Sequence, residues 1–542
     1  MTTNFGDGAE DRAHVGARSA ANETAEAQRR RDFADAFAPW RLGGLRDFAL
    51  RAGLRVLRVS VVNAIVVAGC TVGPGFVPPK VQTPANWTQE ALSQKKGSIA
   101  VAAEPANDAW WQAFKDPELS SLMSRAAGAN LDLKEAALRI AEARLQEKIT
   151  AAGELPTLGA NASYSSTRFS TKTAQGSLFG AFGSSKGPPG FTIPSFPNPY
   201  DQFQTGFDAS WEPDLFGGLK RSEEAGAAET QAAVEQRNAA LVSLEGEIAR
   251  AYMDLRGAQQ KLAITNENIE TERETLTLAR QRQSANIGTE LDVDNAAAQV
   301  TASQSQLPLL KSEVEDDINQ LSLLLAREPG ALETELATAR SVPVPATEIP
   351  IGLPSDLTRR RPDIRAAEAN LHVATARVGV AVAQLYPSVT FNASIGTQAE
   401  RFPQLASWAS RFFQVGPSIN IPIFEGGKLR ATVHLQETQE KEAAVDYAKT
   451  VLSAIHDVEN ALLAYSAEQE RRRSLLKTED ENRRALALAR QRYRNGITTF
   501  LEVLDAERTL QQTQLTLADS TQSVSTDLVA LYKALGGGWQ TK

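Results

Sequence analysis

The chain has 542 residues, of which 42% are hydrophobic and 23% are charged, and its formal net charge at neutral pH is −8. This is the composition of an ordinary folded chain, and its negative charge argues against a nucleic acid or another polyanion as a partner. After residue 70 no apolar stretch reaches the roughly 18 residues of a membrane helix, so the sequence predicts none there.

The first 70 residues end in a pattern typical of a lipoprotein export signal. An apolar run over 59–69 is about as long as a signal-peptide core and too short for a membrane span. It is preceded by five arginines, Arg41, Arg46, Arg51, Arg55 and Arg58. The run ends at Val67-Ala68-Gly69-Cys70, which resembles the bacterial lipobox, and Cys70 is the only cysteine, so it has no disulfide partner. We expect cleavage between Gly69 and Cys70 and a lipid on Cys70. A buried or incidental cysteine is the alternative.

The start of this leader is unusual. Residues 1–40 form a polar prefix that signal peptides lack. Within the leader 1–69, we therefore expect either an extended signal or a translation start at a non-Met codon near 41–57. Thr71, rather than an aspartate, follows the cysteine, which in such lipoproteins suggests sorting to the outer membrane.

Four later segments alternate apolar with polar residues. They are 157–165, 203–212, 388–395 and 413–423. Each is about ten residues long, the length of a tilted transmembrane strand, and has one apolar and one polar face. The edge of a soluble sandwich is the alternative. Because small closed barrels begin near eight strands, four membrane strands would have to share a barrel with other copies of the chain.

Two long regions without proline predict helices of unusual length. In 219–284 an apolar residue recurs every seven positions from Val234 to Leu276, which indicates coiled-coil packing. The region 429–494 is equally uninterrupted. At about 1.5 Å per residue, each helix would reach roughly 100 Å. Shorter helices are expected over 116–155, 290–327, 356–385 and 499–535.

The chain also repeats itself. Residues 276–300 align without gaps on residues 486–510, and the same offset places "FQTG" at 203 on "FQVG" at 413. We predict two repeats, each with a helix, a β-hairpin, a long helix, a tight turn and a shorter helix. The predicted layout is a leader 1–69, a lipidated segment 70–115, repeat 1 over 116–330 (β-hairpin 157–213, helical tip 285–289), a linker 331–354, repeat 2 over 355–535 (β-hairpin 387–424, helical tip 495–498) and a C-terminal tail 536–542.

Four motifs are more specific than these periodicities. They are Trp110-Trp111 followed by "FKDPELSSLM", "LTRRRPDIRAAEANL" at 357–371, "LLLAREPG" at 323–330, and the two copies of "LARQR". Together they resemble the outer-membrane efflux factor family, the TolC-like channels, and within it the lipoprotein branch of the NodT or OprM type. The resemblance covers residues 70–538.

This resemblance implies a fold that is mainly α with membrane β. Two repeats of long coiled-coil helices plus a β-hairpin would trimerise into a 12-stranded outer-membrane β-barrel and a periplasmic α-helical barrel. The implied partners are two more copies of the chain, a periplasmic adaptor (membrane fusion protein), an inner-membrane transporter and outer-membrane lipid. The protein would be lipid-anchored in the bacterial outer membrane and extend into the periplasm.

The resemblance also assigns roles to the two helix tips. Their residues are Asn286, Ile287, Gly288 and Thr289 in the first repeat and Asn495, Gly496, Ile497 and Thr498 in the second. The plain interpretation is a pair of turns in which Gly and Asn relieve a positive φ. The resemblance adds that these tips dock the adaptor.

A periplasmic gate is implied just past the second tip, where "FLEVLDAER" resembles the segment that lines the closed aperture of the family. Leu501, Glu502, Asp505 and Arg508 fall on one helix face. Three copies around an axis would form rings of carboxylates and apolar side chains, held by salt bridges. Tyr493 and Asp292 match positions of latch contacts in the family. An exposed charged face is the alternative.

Two function classes follow from these patterns. The first is a passive trimeric exit duct for small molecules such as drugs or toxic compounds in a tripartite efflux system, with no catalytic residue, cofactor or metal. The second is a non-conducting trimeric coiled-coil scaffold or surface receptor. The four histidines do not suggest a metal site, because none has a ligand-like spacing to a neighbour. They are His14, His372, His434 and His456.

Overall fold

This computed structural model describes residues 71–80, 83–88, 101–102, 109–170, 172–174, 177, 199–345 and 349–539. All of them belong to one unit, Gly69–Lys542. Gly69 and Cys70, the predicted cleavage and lipidation site, lie outside the described residues, as does the leader.

Helices dominate the described residues. The α-helices are α1 Pro117–Ala129, α2 Leu131–Ala151, α3 Gly218–Ser284, α4 Glu290–Leu324, α5 Glu333–Leu336, α6 Leu357–Arg360, α7 Pro362–Ala383, α8 Lys428–Arg494 and α9 Phe500–Ala534. Short 3-10 helices are Trp110–Phe114, Ala152–Glu154, Pro354–Asp356, Phe402–Ala406 and Trp408–Ser410. Both α3 and α8 have 67 residues, which gives each a length of about 100 Å.

Two of the shorter helices are interrupted, which the sequence analysis did not anticipate. The expected helix 116–155 is divided at Asn130, whose Oδ1 accepts from Leu133 N at 3.0 Å and whose Nδ2 donates to Leu324 O at 3.0 Å. The expected helix 356–385 is divided at Arg361, whose backbone is extended because Pro362 follows it. Asn130 thus caps the N-terminus of α2, and Pro362 is the first residue of α7.

The strands form one four-stranded antiparallel sheet and one short parallel pair. The strands are β1 Val101–Ala102, β2 Thr157–Thr167, β3 Tyr200–Trp211, β4 Ile349–Pro350, β5 Ser388–Ala399 and β6 Arg411–Asn420. β1 pairs with β4, and the large sheet has the order β2-β3-β5-β6. The four segments with alternating residues are therefore neighbouring strands of a single sheet.

The pairing register separates the residues of this sheet into two faces. Phe207 lies opposite Ala160 on one side and Ile395 on the other, whereas the next residue, Asp208, lies opposite Gly159 and Ser394. Since paired residues share a face, one face is mostly apolar. It includes Leu158, Tyr164, Phe203, Phe207, Trp211, Phe391, Ile395, Phe413, Val415 and Ile419. The opposite face carries Ser, Thr, Asn, Gln, Asp and Gly at every position except Tyr200 and Phe412.

The helices next to the sheet follow the same order as its strands. α2 leads into β2, α3 leaves β3, α7 leads into β5 and α8 leaves β6. α2 packs on α3, α3 on α7 and α7 on α8. Both layers are therefore open at the same two edges, β2 with α2 and β6 with α8. Toward the helix tips, α3 instead packs on α4 and α9, and α9 packs on α8.

The main hydrophobic core lies between the helix ends next to the sheet and the helix tips. Residues of the "WW" and "DPEL" motifs belong to it. Trp110 is buried and stacks on Tyr532, with 5.2 Å between ring centroids. Asp116 caps α1 by accepting from Glu118 N at 2.9 Å and also accepts from Tyr252 Oη at 2.8 Å. Arg256 of α3, fully buried, pairs with the Glu118 carboxylate at 2.8 Å. This buried ion pair was not predicted.

The "RRRPDIR" motif is held by the C-terminal residues. Trp539 is buried, and its Nε1 donates to Arg360 O at 2.8 Å. The Arg365 guanidinium lies 4.9 Å from the Trp539 ring centroid and pairs with Glu235 at 2.6 Å. The residues 536–539, predicted as the start of a tail, are thus packed against the first turns of α7.

An acidic group between α3 and α4 is expected to make stability depend on pH. Burial, with Asp254 and Glu313 nearby, raises the pKa of Asp317 from 3.8 to about 7. The folded chain therefore binds this proton more tightly than the unfolded chain between about pH 4 and pH 7, so stability falls as the pH rises through that window. Asp317→Asn should raise the unfolding free energy at pH 8 by about 1 to 2 kcal/mol, allowing for partial solvent screening.

Thermal unfolding midpoints at pH 8 and pH 4.5 measure this effect, and the gain should disappear at the lower pH. Asp316→Asn is the matched control, because Asp316 is exposed on the same helix. An equal gain in both variants, or a gain that persists at pH 4.5, would contradict the assignment to Asp317.

Candidate functional site at the helix tips

The two predicted tips are tight turns at the end of the molecule farthest from the sheet. In the first, Asn286 has φ +56, and the backbone N–H groups of Ile287 and Gly288 both donate to Arg282 O at 3.0 Å. In the second, Gly496 has φ +72, and Ile497 N donates to Arg492 O at 2.9 Å. Asn286 and Gly496 are equivalent in the repeat, and both supply the left-handed residue that closes the helix end.

The tips expose equivalent apolar side chains. Ile287 is 63% exposed and Ile497 is 64% exposed. After the first tip, Thr289 and Asp292 form a reciprocal capping box for α4, with Asp292 N donating to Thr289 Oγ1 at 3.2 Å. Asp292, predicted as a latch residue, therefore has a structural role within its own helix. Asn495, Gly496 and Thr498 complete the second turn before α9 begins at Phe500.

The predicted gate residues share one face of α9. Leu501, Glu502, Asp505 and Arg508 are all exposed in the protomer. The opposite face of this helix is buried and carries Val503, Leu504, Glu507 and Leu510. The sequence spacing thus placed the four residues on a common surface that one protomer leaves uncovered.

Arg508 and Tyr493 contact groups that the sequence did not indicate. Arg508 Nε donates to Gln299 Oε1 of α4 at 2.9 Å, and it forms no ion pair with the described residues of its own protomer. Tyr493 is buried and packs edge-on against Phe500, with 5.6 Å between ring centroids. Burial raises the pKa of Tyr493, and the nearby Asp292 raises it further.

Arg282 connects the two tips. Its Nη1 donates to Tyr493 O at 2.7 Å and to Arg494 O at 3.2 Å, at the carboxyl end of α8. Its guanidinium carbon lies 4.6 Å from the Tyr493 ring centroid. A cation at a helix carboxyl end is stabilised by the partial negative charge there. The "LARQR" repeat contained this arginine, but only the fold identified its partner.

A buried ion pair joins the helices behind the gate face. Arg490 of α8 pairs with Glu507 of α9 at 2.6 Å, and both contact Thr275 of α3. Burial raises the pKa of Glu507 despite the bonds from Thr275 and Arg490. Arg280, the equivalent of Arg490 in the first repeat, is exposed. Because the repeats differ here, alignment of the two copies gave no signal for this pair.

A second buried carboxylate, Glu272 of α3, links α3 to α4 and α9. Glu272 Oε1 accepts from Gln299 Nε2 at 3.0 Å and from Ser303 Oγ at 2.7 Å, and also from Gln511 of α9. Gln299 in turn holds Arg508 of the gate face. The exposed gate face is therefore connected through one glutamine to a buried network that spans both repeats.

The described segment that follows Cys70 lies at the junction of sheet and helices. Val72 N donates to Phe216 O at 3.1 Å, in the turn between β3 and α3. At Gly217 of the same turn, an added Cβ would lie 2.7 Å from Thr71 Cα. Farther along, Phe76 stacks on His372, with 4.3 Å between ring centroids. The chain just after Cys70 is thus fixed at the base of the sheet.

None of the helices in the described part of the chain is both long and apolar enough to cross a membrane.

The architecture defines a class of protein. A two-faced antiparallel sheet continued by helices of about 100 Å is the subunit architecture of outer-membrane channels that combine a β-barrel with a helical barrel. This confirms the predicted fold class.

Comparison with known proteins identifies the family. The model for "Outer membrane efflux protein" matches residues 122–327 and 353–537, so the chain belongs to the outer membrane efflux protein family. Nodulation protein T of Rhizobium leguminosarum bv. trifolii is 30% identical over 493 residues, which cover 88% of this chain and 96% of that protein. A probable efflux pump outer membrane protein, TtgC of Pseudomonas putida, is 31% identical over 88% of this chain and 94% of that protein.

A solved structure agrees with both relatives. The outer-membrane channel OprN superposes with a TM-score of 0.77 at 34% identity, covering 87% of this chain and all of that chain. One of these proteins is thus named as an efflux pump outer membrane protein and another as an outer-membrane channel, and the predicted membership of the NodT or OprM type is confirmed.

Proposed function

We propose that three copies of this chain form a passive exit duct for small molecules, such as drugs or toxic compounds, in a tripartite efflux system. The driving force would come from an inner-membrane pump, joined to the duct by a periplasmic adaptor. The observation that carries this proposal is the register of the sheet, which gives an apolar face suited to lipid and an opposite face lined by Ser, Thr, Asn, Gln, Asp and Gly.

The open edges of the protomer support a ring of copies. β2 and β6 each have one unpaired side within the described chain. In lipid an unsatisfied backbone polar group costs several kcal/mol, so a sheet in the membrane must close. The helix layer is open at the same edges, and pairing β6 of one copy with β2 of the next would also bring α8 of one copy beside α2 of the next.

A conductance measurement tests the duct directly. Trimers reconstituted in planar bilayers should carry single-channel currents, because the polar face would line a water-filled lumen. The alternative, a non-conducting coiled-coil scaffold or surface receptor, has no need of a polar inner face. Heat-resistant trimers that insert into the bilayer and yet pass no current, even with the gate variants described below, would favour the scaffold.

The tips and the α9 face are proposed as the docking and gating ends of the duct. Ile287 and Ile497 present an exposed apolar side chain at each turn, which suits contact with an adaptor. Leu501, Glu502, Asp505 and Arg508 lie on a face that the protomer leaves uncovered. Around a threefold axis these residues would narrow the periplasmic end.

A lipid on Cys70 is proposed as an additional anchor. Thr71 and Val72 are held beside the turn at Phe216 and Gly217, so a lipid on the preceding residue would start at the base of the membrane sheet. The protein should therefore incorporate radioactive palmitate, and Cys70→Ser should abolish the label. Equal labelling of this variant would overturn the lipoprotein assignment. The variant should still assemble, because the strands supply their own membrane contact.

A further inference from the structure

Phe412 breaks the pattern of the polar face of the sheet. It lies opposite Gly396 in the register of β5 and β6, on the same face as Ser394 and Gln414. Within the described strands, every other position of that face has Ser, Thr, Asn, Gln, Asp or Gly, except Tyr200, whose ring carries a hydroxyl group. The adjacent Phe413 belongs to the apolar face and is 80% exposed, whereas Phe412 is half-buried. One large hydrocarbon side chain thus stands among polar groups.

Two glycines of the neighbouring strands form a notch beneath this ring. Gly206 of β3 lies opposite Gly396 of β5. A Cβ added to Gly396 would lie 3.0 Å from Phe412 Cε1 and 2.8 Å from Gly206 Cα. An aromatic ring packed over strand glycines covers backbone that would otherwise lack a side chain. The ring therefore lies against the wall of the sheet instead of standing away from it.

The position of Phe412 along the sheet places the notch near one end. Phe412 is the second residue of β6, next to the β5–β6 connection, and α8 follows the other end of the strand. With the helices in the periplasm, this end of the sheet faces the outside of the cell. Three copies would bring three rings to the same height of one barrel.

We propose that Phe412 sets the width of the outer end of the duct, and that the glycine pair Gly206 and Gly396 keeps this width open by seating the ring against the wall. The inference rests on the proposed duct, because it takes the polar face as the lumen. Passage through a pore depends on its diameter and on the groups that line it. In the trimer, a side chain too large for the notch would project into the lumen from each of the three copies and narrow it. A smaller side chain would leave a recess in the wall of each copy.

The test uses a cysteine reporter deeper in the same lumen. Ser418 lies on β6 and on the polar face, six residues beyond Phe412, which is about 20 Å along the strand. Whole cells carrying full-length Ser418→Cys protein are treated from outside with charged, membrane-impermeant maleimides of increasing size. Protein with the natural Ser418, whose only cysteine is Cys70, gives the background. The largest maleimide that still labels Ser418→Cys is the probe for width.

Phe412→Trp should slow labelling by this largest maleimide by about threefold or more and leave the smallest one unaffected, because only the larger reagent senses the width. Phe412→Ala should label at least as fast as the parent. Phe413→Trp and Phe413→Ala are the matched controls and should not change either rate, since this neighbouring ring lies on the other face.

Two results would overturn the inference in distinguishable ways. If Ser418→Cys reacts but the Phe412 and Phe413 variants all label at the parental rate, the proposed duct is supported, but Phe412 does not set its width. If Ser418→Cys does not react even with the smallest maleimide, although the trimer is present in the outer membrane, the polar face is not a water-filled lumen. In that case the proposed duct fails together with the role of Phe412.

Discussion

Replacing Leu138 and Leu145 together by glutamate should abolish the trimer. These residues belong to a stripe of α2 that the protomer leaves exposed, formed by Leu131 (65%), Leu138 (65%), Leu145 (58%) and Ile149 (66%). Three of the four are spaced by seven residues, as in a coiled-coil seam. At the opposite open edge, α8 also exposes apolar side chains, including Leu435, Val445, Leu452 and Leu463. In a closed ring these two stripes would cover each other.

The effect should be large because each glutamate would be buried without a partner. An uncompensated buried charge costs about 3 to 5 kcal/mol, and a ring of three would contain six of them. Leu138→Met with Leu145→Met is the matched control, since such volume-conserving changes cost less than about 1.5 kcal/mol. Crosslinking and native mass spectrometry in mild detergent give the readout.

We expect trimers for the parent and the methionine variant and none for the glutamate variant. A glutamate variant that trimerises normally would place the α2 stripe outside the interface. If the parent protein yields only monomers or dimers, the proposal of a barrel shared by three copies is wrong.

Arg508→Ala should loosen the closed gate and raise the conductance of the trimer. Three copies of Glu502 and Asp505 near one axis would repel each other, and Arg508 is the cation on the same face. The alanine also releases Gln299, which Arg508 holds at 2.9 Å. A loss of about 1 kcal/mol in each of three subunits would change the ratio of open to closed channels by roughly a hundredfold.

Asp505→Ala should have a different signature. A ring of three carboxylates is a site for multivalent cations, so its removal should weaken any block by divalent or trivalent cations added on the periplasmic side. Arg484→Ala is a suitable control for both variants, because it removes an arginine that forms an exposed ion pair with Asp480 of α8 and that does not belong to the gate face of α9. If neither conductance nor cation block changes in the Arg508 and Asp505 variants, this side of α9 points away from the lumen.

Much of the candidate site could be predicted from local sequence because its geometry is local. The tips follow from a turn that needs a left-handed residue, which Asn286 and Gly496 provide. The common face of Leu501, Glu502, Asp505 and Arg508 follows from helical spacing alone. The contacts between the two repeats could not be predicted. Arg282 of the first repeat, for example, donates to the carbonyl groups of Tyr493 and Arg494 in the second.

The sequence by itself determined the four strands, the two long helices and their repetition, because alternation, heptads and internal alignment are properties of neighbouring residues. The tertiary structure alone decided which of these elements lie side by side. The order β2-β3-β5-β6 sets the hairpin of repeat 1 beside the hairpin of repeat 2 through β3 and β5, and the Arg490–Glu507 pair occurs in one repeat only. The burial of Arg256 against Glu118 likewise joins distant segments. Such contacts depend on how the chain closes long loops, and no pattern along the sequence records that.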